Sequence, residues 1–251
     1  MMRDVVNVGL SVILLLIGPF CVVHAEELLV FTASGAEDVV KELGARFEGV
    51  SGVKTRIVVK RGRLSPGATG GAPFDVGVLN AGDLNELIKR GNILADSRID
   101  VARSGLGLGV LAGGARPQIS SLAALRKVLL ECRAVAFVSE GAGTGQVLKL
   151  LERVGIARLM RPKLRPRSFE GARVVFLHDE ADCLLGSRAI VAASVKSQWV
   201  STLPAEAQPY VNYTAGISTI SKDPAQAQRF MKFLKTAVAA SIIEEHGMEI
   251  P

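Results

Sequence analysis

The sequence predicts an α/β protein of two lobes, each a mostly parallel sheet flanked by helices. Short apolar runs such as Leu28-Leu29-Val30-Phe31 alternate with segments of helical periodicity, the pattern of βαβ units. Those runs are apolar at consecutive positions, as in strands covered on both faces. Two glycine-bearing apolar stretches, Gly105 to Leu111 and Tyr213 to Ile220, each stand between one block of α/β pattern and the next, and are expected to be paired crossings between the lobes. A chain of 251 residues, 49% of them hydrophobic, is long enough for two cores.

The elements follow in order. Leu28 to Thr32 reads as a strand, and Ala36 to Phe47 as a helix with Val39, Val40, Leu43 and Phe47 on one face. Val53 to Val59 is β-branched throughout and reads as a second strand; Phe74 to Leu79 is the third, and Ala81 to Arg90 a helix stopped by Gly91. Leu122 to Glu131, Gly145 to Val154 and Arg173 to Asp179 are expected helices, with strands at Ala134 to Val138 and Cys183 to Gly186. Two helices, Pro224 to Lys235 and Thr236 to His246, close the chain. Residues 26–105 with 214–251 are expected to form the first lobe, and 106–213 the second.

The first 25 residues read as a cleaved secretory signal. Arg3 precedes an almost uncharged run from Val5 to Val23, Gly18-Pro19 breaks a helix near its end, and Val23-His24-Ala25 suits a signal peptidase. This predicts export to the periplasm, and no other apolar run is long enough to span a membrane. In such a compartment Cys132 and Cys183 could form a disulfide or remain two buried thiols. Neither has a histidine near it at zinc-ligand spacing, and no metal is expected. Only 5% of residues are aromatic, which argues against a stack of rings for sugars or bases.

The net charge of +6 is spread thinly, with clusters at Lys60-Arg61-Gly62-Arg63 and at Arg161 to Arg167, the latter proline-broken and read as a solvated loop. A small anionic ligand is the natural partner, and nucleic acid is not expected. Three strand-to-helix junctions share a composition that suits anions: Thr32 to Glu37, Leu64 to Gly71 and Ser139 to Gly145. Each offers small residues, a hydroxyl and free backbone N–H groups where the helix dipole favours negative charge. Ser34 is expected to cap its helix, with Glu37 as reciprocal partner. Gly141 to Gly145 superficially suggests a dinucleotide loop, but the acidic residue that would follow on a strand is missing. His178 and His246 read as surface histidines, Asp75 as a turn cap and Trp199 as core. No Gly-x-Ser-x-Gly elbow is present.

These loops, in this order, resemble the periplasmic molybdate-binding proteins of ABC importers and, more broadly, the type 2 solute-binding fold. The resemblance covers nearly all of the chain after residue 25. It is carried by Leu29-Val30-Phe31-Thr32-Ala33-Ser34, by Gly71-Ala72-Pro73-Phe74-Asp75-Val76, by Gly141 to Gly145, by Tyr213-Thr214-Ala215-Gly216-Ile217-Ser218 and by the ending Gly247-Met248-Glu249-Ile250-Pro251. It implies two lobes joined by crossover strands, no cofactor, and a monomer that binds molybdate or tungstate and delivers it to a membrane permease. It places Thr32, Ser34, Gly35, Ser65, Gly143 and Thr144 at the ligand.

The chain departs from the family where a tyrosine is expected after Leu185-Gly186; it has Ser187-Arg188-Ala189-Ile190 instead. Arginine grips carboxylates in two-pronged fashion, so Arg188 joins the candidate ligand residues. The departure resembles a divergent branch that includes aconitate isomerases. Binding without catalysis is the leading expectation. An isomerase of a small polycarboxylate is the alternative, with Glu37, Glu140 and His178 as candidate bases.

Overall fold

A computed structural model describes residues 27–60, 73–139 and 143–251. The expected signal segment and the loop holding Arg61, Arg63 and Ser65 lie outside the described residues, as does Glu140. Among the described residues no helix is long and apolar enough to cross a membrane.

The first half of the chain runs β1 (Leu28–Ala33), α1 (Glu37–Ser51), β2 (Thr55–Lys60), β3 (Val76–Asn80), α2 (Ala81–Lys89), β4 (Ile99–Gly105), β5 (Gly107–Leu111), α3 (Leu122–Glu131) and β6 (Val135–Val138). It continues through α4 (Gly143–Arg153), α5 (Ala157–Met160), β7 (Leu164–Arg167), α6 (Phe169–Val174), β8 (Cys183–Gly186), α7 (Arg188–Ala193), β9 (Ser197–Thr202), β10 (Tyr210–Ile217), α8 (Pro224–Phe233) and α9 (Ala237–Glu245).

Two five-stranded sheets result, ordered β2-β1-β3-β10-β4 and β7-β6-β8-β5-β9. In the first, β1 is parallel to β2 and β3, and β10 is antiparallel to β3 and β4. In the second, β6 is parallel to β7 and β8, and β5 is antiparallel to β8 and β9. The expected α/β architecture of two flanked, mostly parallel sheets is the observed one.

The expected crossings need correction. Gly105 to Leu111 and Tyr213 to Ile220 lie mainly in different sheets: β5 pairs with β8 and β9, whereas β10 pairs with β3 and β4. The chain passes between sheets at Leu106, which separates β4 from β5, and returns over residues 203–209. These two passages touch, for Leu203 N donates to Leu106 O at 3.2 Å and Tyr210 pairs with Gly105. The expected lobe boundary at 213/214 falls inside β10.

Two further segments differ from expectation. Part of the basic Arg161 to Arg167 stretch forms β7, an edge strand parallel to β6. Pro166 is tolerated there because an edge strand needs no donor on its outer side. The helix expected at Arg173 to Asp179 lies earlier, at Phe169–Val174, because the Ser168 hydroxyl accepts from Gly171 N and starts it, and residues 175–179 are turn.

Each sheet is covered on both faces. In the first lobe, Val39, Val40, Leu43 and Phe47 of α1 pack with Val30, Val78 and Ala215 of the sheet and with Phe230 and Ile243 of the closing helices. The Phe47 and Phe230 rings meet edge to face, with centroids 5.1 Å apart. Asp75 is the polar knot of this lobe: Oδ2 accepts from Leu29 N at 2.9 Å, while Oδ1 accepts from Ser221 Oγ at 2.7 Å and Lys222 N at 2.9 Å. In the second lobe, Leu125 and Leu129 of α3 and Val147, Leu150 and Leu151 of α4 pack on Leu108, Val135 and Leu185. A disulfide joins Cys132, just past α3, to Cys183 at the start of β8, closing the alternative that sequence left open. The neighbouring Asp182 carboxylate accepts from Arg133 N and Ala134 N, so that cluster is a structural joint.

Candidate functional site

A cleft with about 800 Å³ of empty space, counting its open mouth, opens between the two sheets. The first lobe contributes the end of β1 and the turn after it (Ala33, Ser34, Gly35), Lys60, Asn80, Asp83, Val211 and Tyr213. The second contributes Phe137, Val138, Gln146, Phe169, Ser187 and Ile190 among others, and the crossing at Gly105 and Leu106 forms part of the wall. Parallel strands of both sheets deliver their carboxyl ends here, where open α/β sheets place their ligands.

The turn after β1 is the part of the site that the sequence anticipated most directly. Ser34 and Gly35 both line the cleft. Ser34 does not cap a helix, as expected; it opens a short 3-10 turn over Ser34–Ala36 that has no side-chain cap. Glu37 turns away to bind Lys41 at 2.6 Å. The Ser34 hydroxyl thus takes no partner among the described residues and stays available to a ligand. Gly35 is fixed by packing, since an added Cβ would collide with the Tyr213 phenol oxygen.

Thr32 is a correction. It is fully buried and its hydroxyl donates to Val78 O at 2.9 Å, knitting β1 to β3 beneath the cleft. Thr144 is another: its hydroxyl donates to Ser139 O at 3.0 Å, and it does not line the cleft. Gly143 stands at the first position of α4. It is Gln146, one turn on, that reaches the cleft, and its buried Nε2 has no hydrogen-bond partner among the described residues. Arg188 is exposed and does not line the cleft; its aliphatic stem lies against Gly247 of the other lobe. A helix-start position on α7 points it along the lobe surface, whereas Ser187, which caps α7 through Ile190 N, faces in.

Of the candidate bases, Glu37 is engaged with Lys41, and His178 is exposed and away from the cleft. Ser65, Arg61, Arg63 and Glu140 lie outside the described residues.

Sequence reasoning missed the charged pair in the cleft. Lys60, the last residue of β2, is only 7% exposed, and its Nζ lies 3.0 Å from Asp83 Oδ2. Asp83 sits in the first turn of α2, where Asn80 caps the helix by accepting from Asp83 N at 3.0 Å. Asn80 Nδ2 also donates to Asp83 Oδ2 at 2.8 Å. Strand alternation points the other way, since Lys60 falls on the same side of β2 as the exposed Arg56 and Val58, and it is buried only at the strand's carboxyl end where Asp83 meets it.

Tyr213 of β10 is buried, and loss of solvation pushes its phenol up to about 12, so it remains a neutral donor across ordinary pH. The site therefore offers neutral donors from both lobes and one compensated ion pair from the first. It can surround a small anion with N–H and O–H groups from both sides of the cleft.

A family model described as bacterial extracellular solute-binding protein matches residues 28–249. A curated aconitate isomerase from Pseudomonas sp. is 25% identical over 231 residues, spanning 88% of this chain and 87% of that protein. Among solved structures, the Azotobacter vinelandii periplasmic molybdate-binding protein superposes with a TM-score of 0.70 at 21% identity, over 90% of this chain and all of that one. The substrate-binding domain of a putative molybdenum ABC transporter from Clostridium difficile gives a TM-score of 0.70 at 15% identity, over 90% and 99% of the two chains.

Proposed function

The chain belongs to the bacterial extracellular solute-binding proteins, and from that premise we propose that it captures a small anion in the cleft between its sheets and delivers it, as a periplasmic monomer, to an ABC permease. The observation that carries this reading is the convergence of unspent donors from both lobes: the Ser34 hydroxyl, the Tyr213 phenol, Ser187 and the Gln146 amide. Donors fixed before the ligand arrives cost little reorganisation, and closing two lobes around the ligand excludes water from them.

Two ligand classes fit. Molybdate is the ligand named for the Azotobacter vinelandii relative, and neutral donors would suffice for it or for tungstate. A small polycarboxylate is the class named for the curated relative, and the Lys60–Asp83 pair in the cleft favours it. In a second reading of the same site the protein isomerises such a carboxylate, with the Asp83 carboxylate taking a proton from one carbon and returning it to the carbon at the far end of the allylic system.

Calorimetry with molybdate, sulfate, citrate and aconitate tests binding, and proton NMR of aconitate incubated with the protein tests turnover. Ser34→Asp should abolish anion binding, because its carboxylate would occupy the donors of the turn after β1 and repel the ligand. Unchanged affinity in that variant would place the ligand elsewhere.

A further inference from the structure

Asp83 is the single acidic residue lining the cleft among the described residues. Its Oδ2 is taken by Lys60 Nζ and Asn80 Nδ2, and its Oδ1 accepts from no described residue. The side chain keeps 22% of its surface exposed, and that exposure faces the cleft it lines. An ionised carboxylate can only accept hydrogen bonds. A ligand atom seated against Oδ1 must therefore bring its own hydrogen. A fully ionised tetrahedral oxyanion brings only lone pairs and charge, and would meet Asp83 as acceptor against acceptor. Lys60 offsets the charge of Asp83 and so leaves the cleft open to anions, but it does not supply the missing hydrogen.

We infer that Asp83 is a specificity-determining residue, and that the cleft takes an anion carrying an O–H donor of its own, while molybdate, tungstate and sulfate are disfavoured. The shared chemistry is one acidic group beside one hydroxyl, found both in hydroxycarboxylates and in monoprotonated oxyanions. The inference rests on the anion-binding reading and cuts across its two ligand classes: it disfavours fully ionised aconitate, which brings no O–H, as it disfavours molybdate. Selection of this kind works by penalising the wrong ligand with an unmatched buried polar group.

Two matched pairs of probes test it by calorimetry on the full chain at mildly alkaline pH: phosphate against sulfate, and malate against succinate. Within each pair the charge is the same, and the first member adds one hydroxyl donor. The expected result is that, in whichever pair binds, the donor-bearing member is preferred by about tenfold or more. Asp83→Asn, which presents a donor in place of the acceptor, should shrink or reverse that preference and let molybdate bind. Thermal melting of the variant reports whether the loss of the ion pair unsettles the lobe, and the wild-type ratios stand independently of it. Equal or inverted preference in the wild type overturns the inference, as does a preference that survives intact in Asp83→Asn. Tight binding of molybdate alone also overturns it while leaving the anion-binding reading standing. Heat from none of these probes, molybdate included, removes the anion-binding reading itself.

Discussion

In the first lobe the strand that follows the three parallel ones is β10, supplied by a chain that has just left the second lobe. In the second lobe the matching strand is β5, supplied by a chain that has just left the first. The two sheets thus share one plan, and each is completed by the other's exit. Their chemistry differs. Among the described residues the first lobe carries the charged side chains of the cleft, Lys60 and Asp83, together with the Tyr213 phenol, and is tied by the Asp75 knot. The second contributes Gln146, Ser187 and apolar wall, and is tied by a disulfide. The difference teaches that equivalent scaffolds can carry unlike chemistry, with an ion pair and a phenol on one side of the cleft and neutral donors and apolar wall on the other.

The largest effect expected from breaking this comparison is on stability, and on one side of it. The Cys132–Cys183 link spans a sequence separation of 51. Closing a loop of that size restricts the unfolded chain by about 4 kcal/mol. Urea unfolding of Cys132→Ala/Cys183→Ala should show that loss, with hydrogen exchange quickening in α3 and β8 and changing little in β1 to β3. Uniform quickening would mean that the lobes unfold as one.

Affinity sharpens the comparison next. Lys60→Met leaves Asp83 facing the ligand without its counter-charge and should weaken anion binding about a hundredfold. Gln146→Leu, which removes a neutral donor from the opposite lobe, should cost only about fivefold. Calorimetry that ranked them the other way would assign discrimination to the second lobe.

The pH dependence is smaller and again belongs to the first lobe. Folding raises the Tyr213 phenol from its ordinary 10 to about 12, so the neutral form is favoured in the folded state. Its contribution is therefore fully present below pH 10 and is lost as pH rises towards 12. Melting temperature followed between those limits should fall less steeply in Tyr213→Phe than in the wild type. The smallest effect is expected from Arg188→Ala, which should change anion affinity by less than about twofold, because Arg188 does not line the cleft. A larger loss by calorimetry would return that arginine to the site.

Most of the framework was legible in the sequence, because consecutive apolar residues in short runs and helical stripes such as Val39, Val40, Leu43 and Phe47 are dictated by local periodicity. The turn at Ser34 and Gly35 was legible as well, since small residues at a strand end have few other uses. Side-chain direction was not. Thr32 and Thr144 look like ligand hydroxyls in sequence, but one is spent on Val78 O and the other on Ser139 O, and only the folded backbone decides that. Lys60 reads as the first residue of a basic cluster beside the second junction, with no sign in the sequence that it is buried. Its burial depends on Asp83, and a separation of 23 residues gives no local cue to the pair. Tyr213 reads as one residue of an apolar strand, and what sets its role is a glycine far away in the chain.

The reciprocal completion of the sheets also dictates an order of assembly. The second sheet draws on β5 to β9, which are consecutive in the chain, whereas β4 reaches the rest of its own sheet through β10, about a hundred residues later. A chain delivered from its N-terminus would hold β4 unpaired until the whole second lobe had emerged. Contacts so distant in sequence form slowly, because the loop that joins them must first be closed. The lobe that bears Lys60 and Asp83 is thus the last to mature, and an unfinished molecule would set a formed second lobe beside a first sheet still missing the strand that joins β3 to β4.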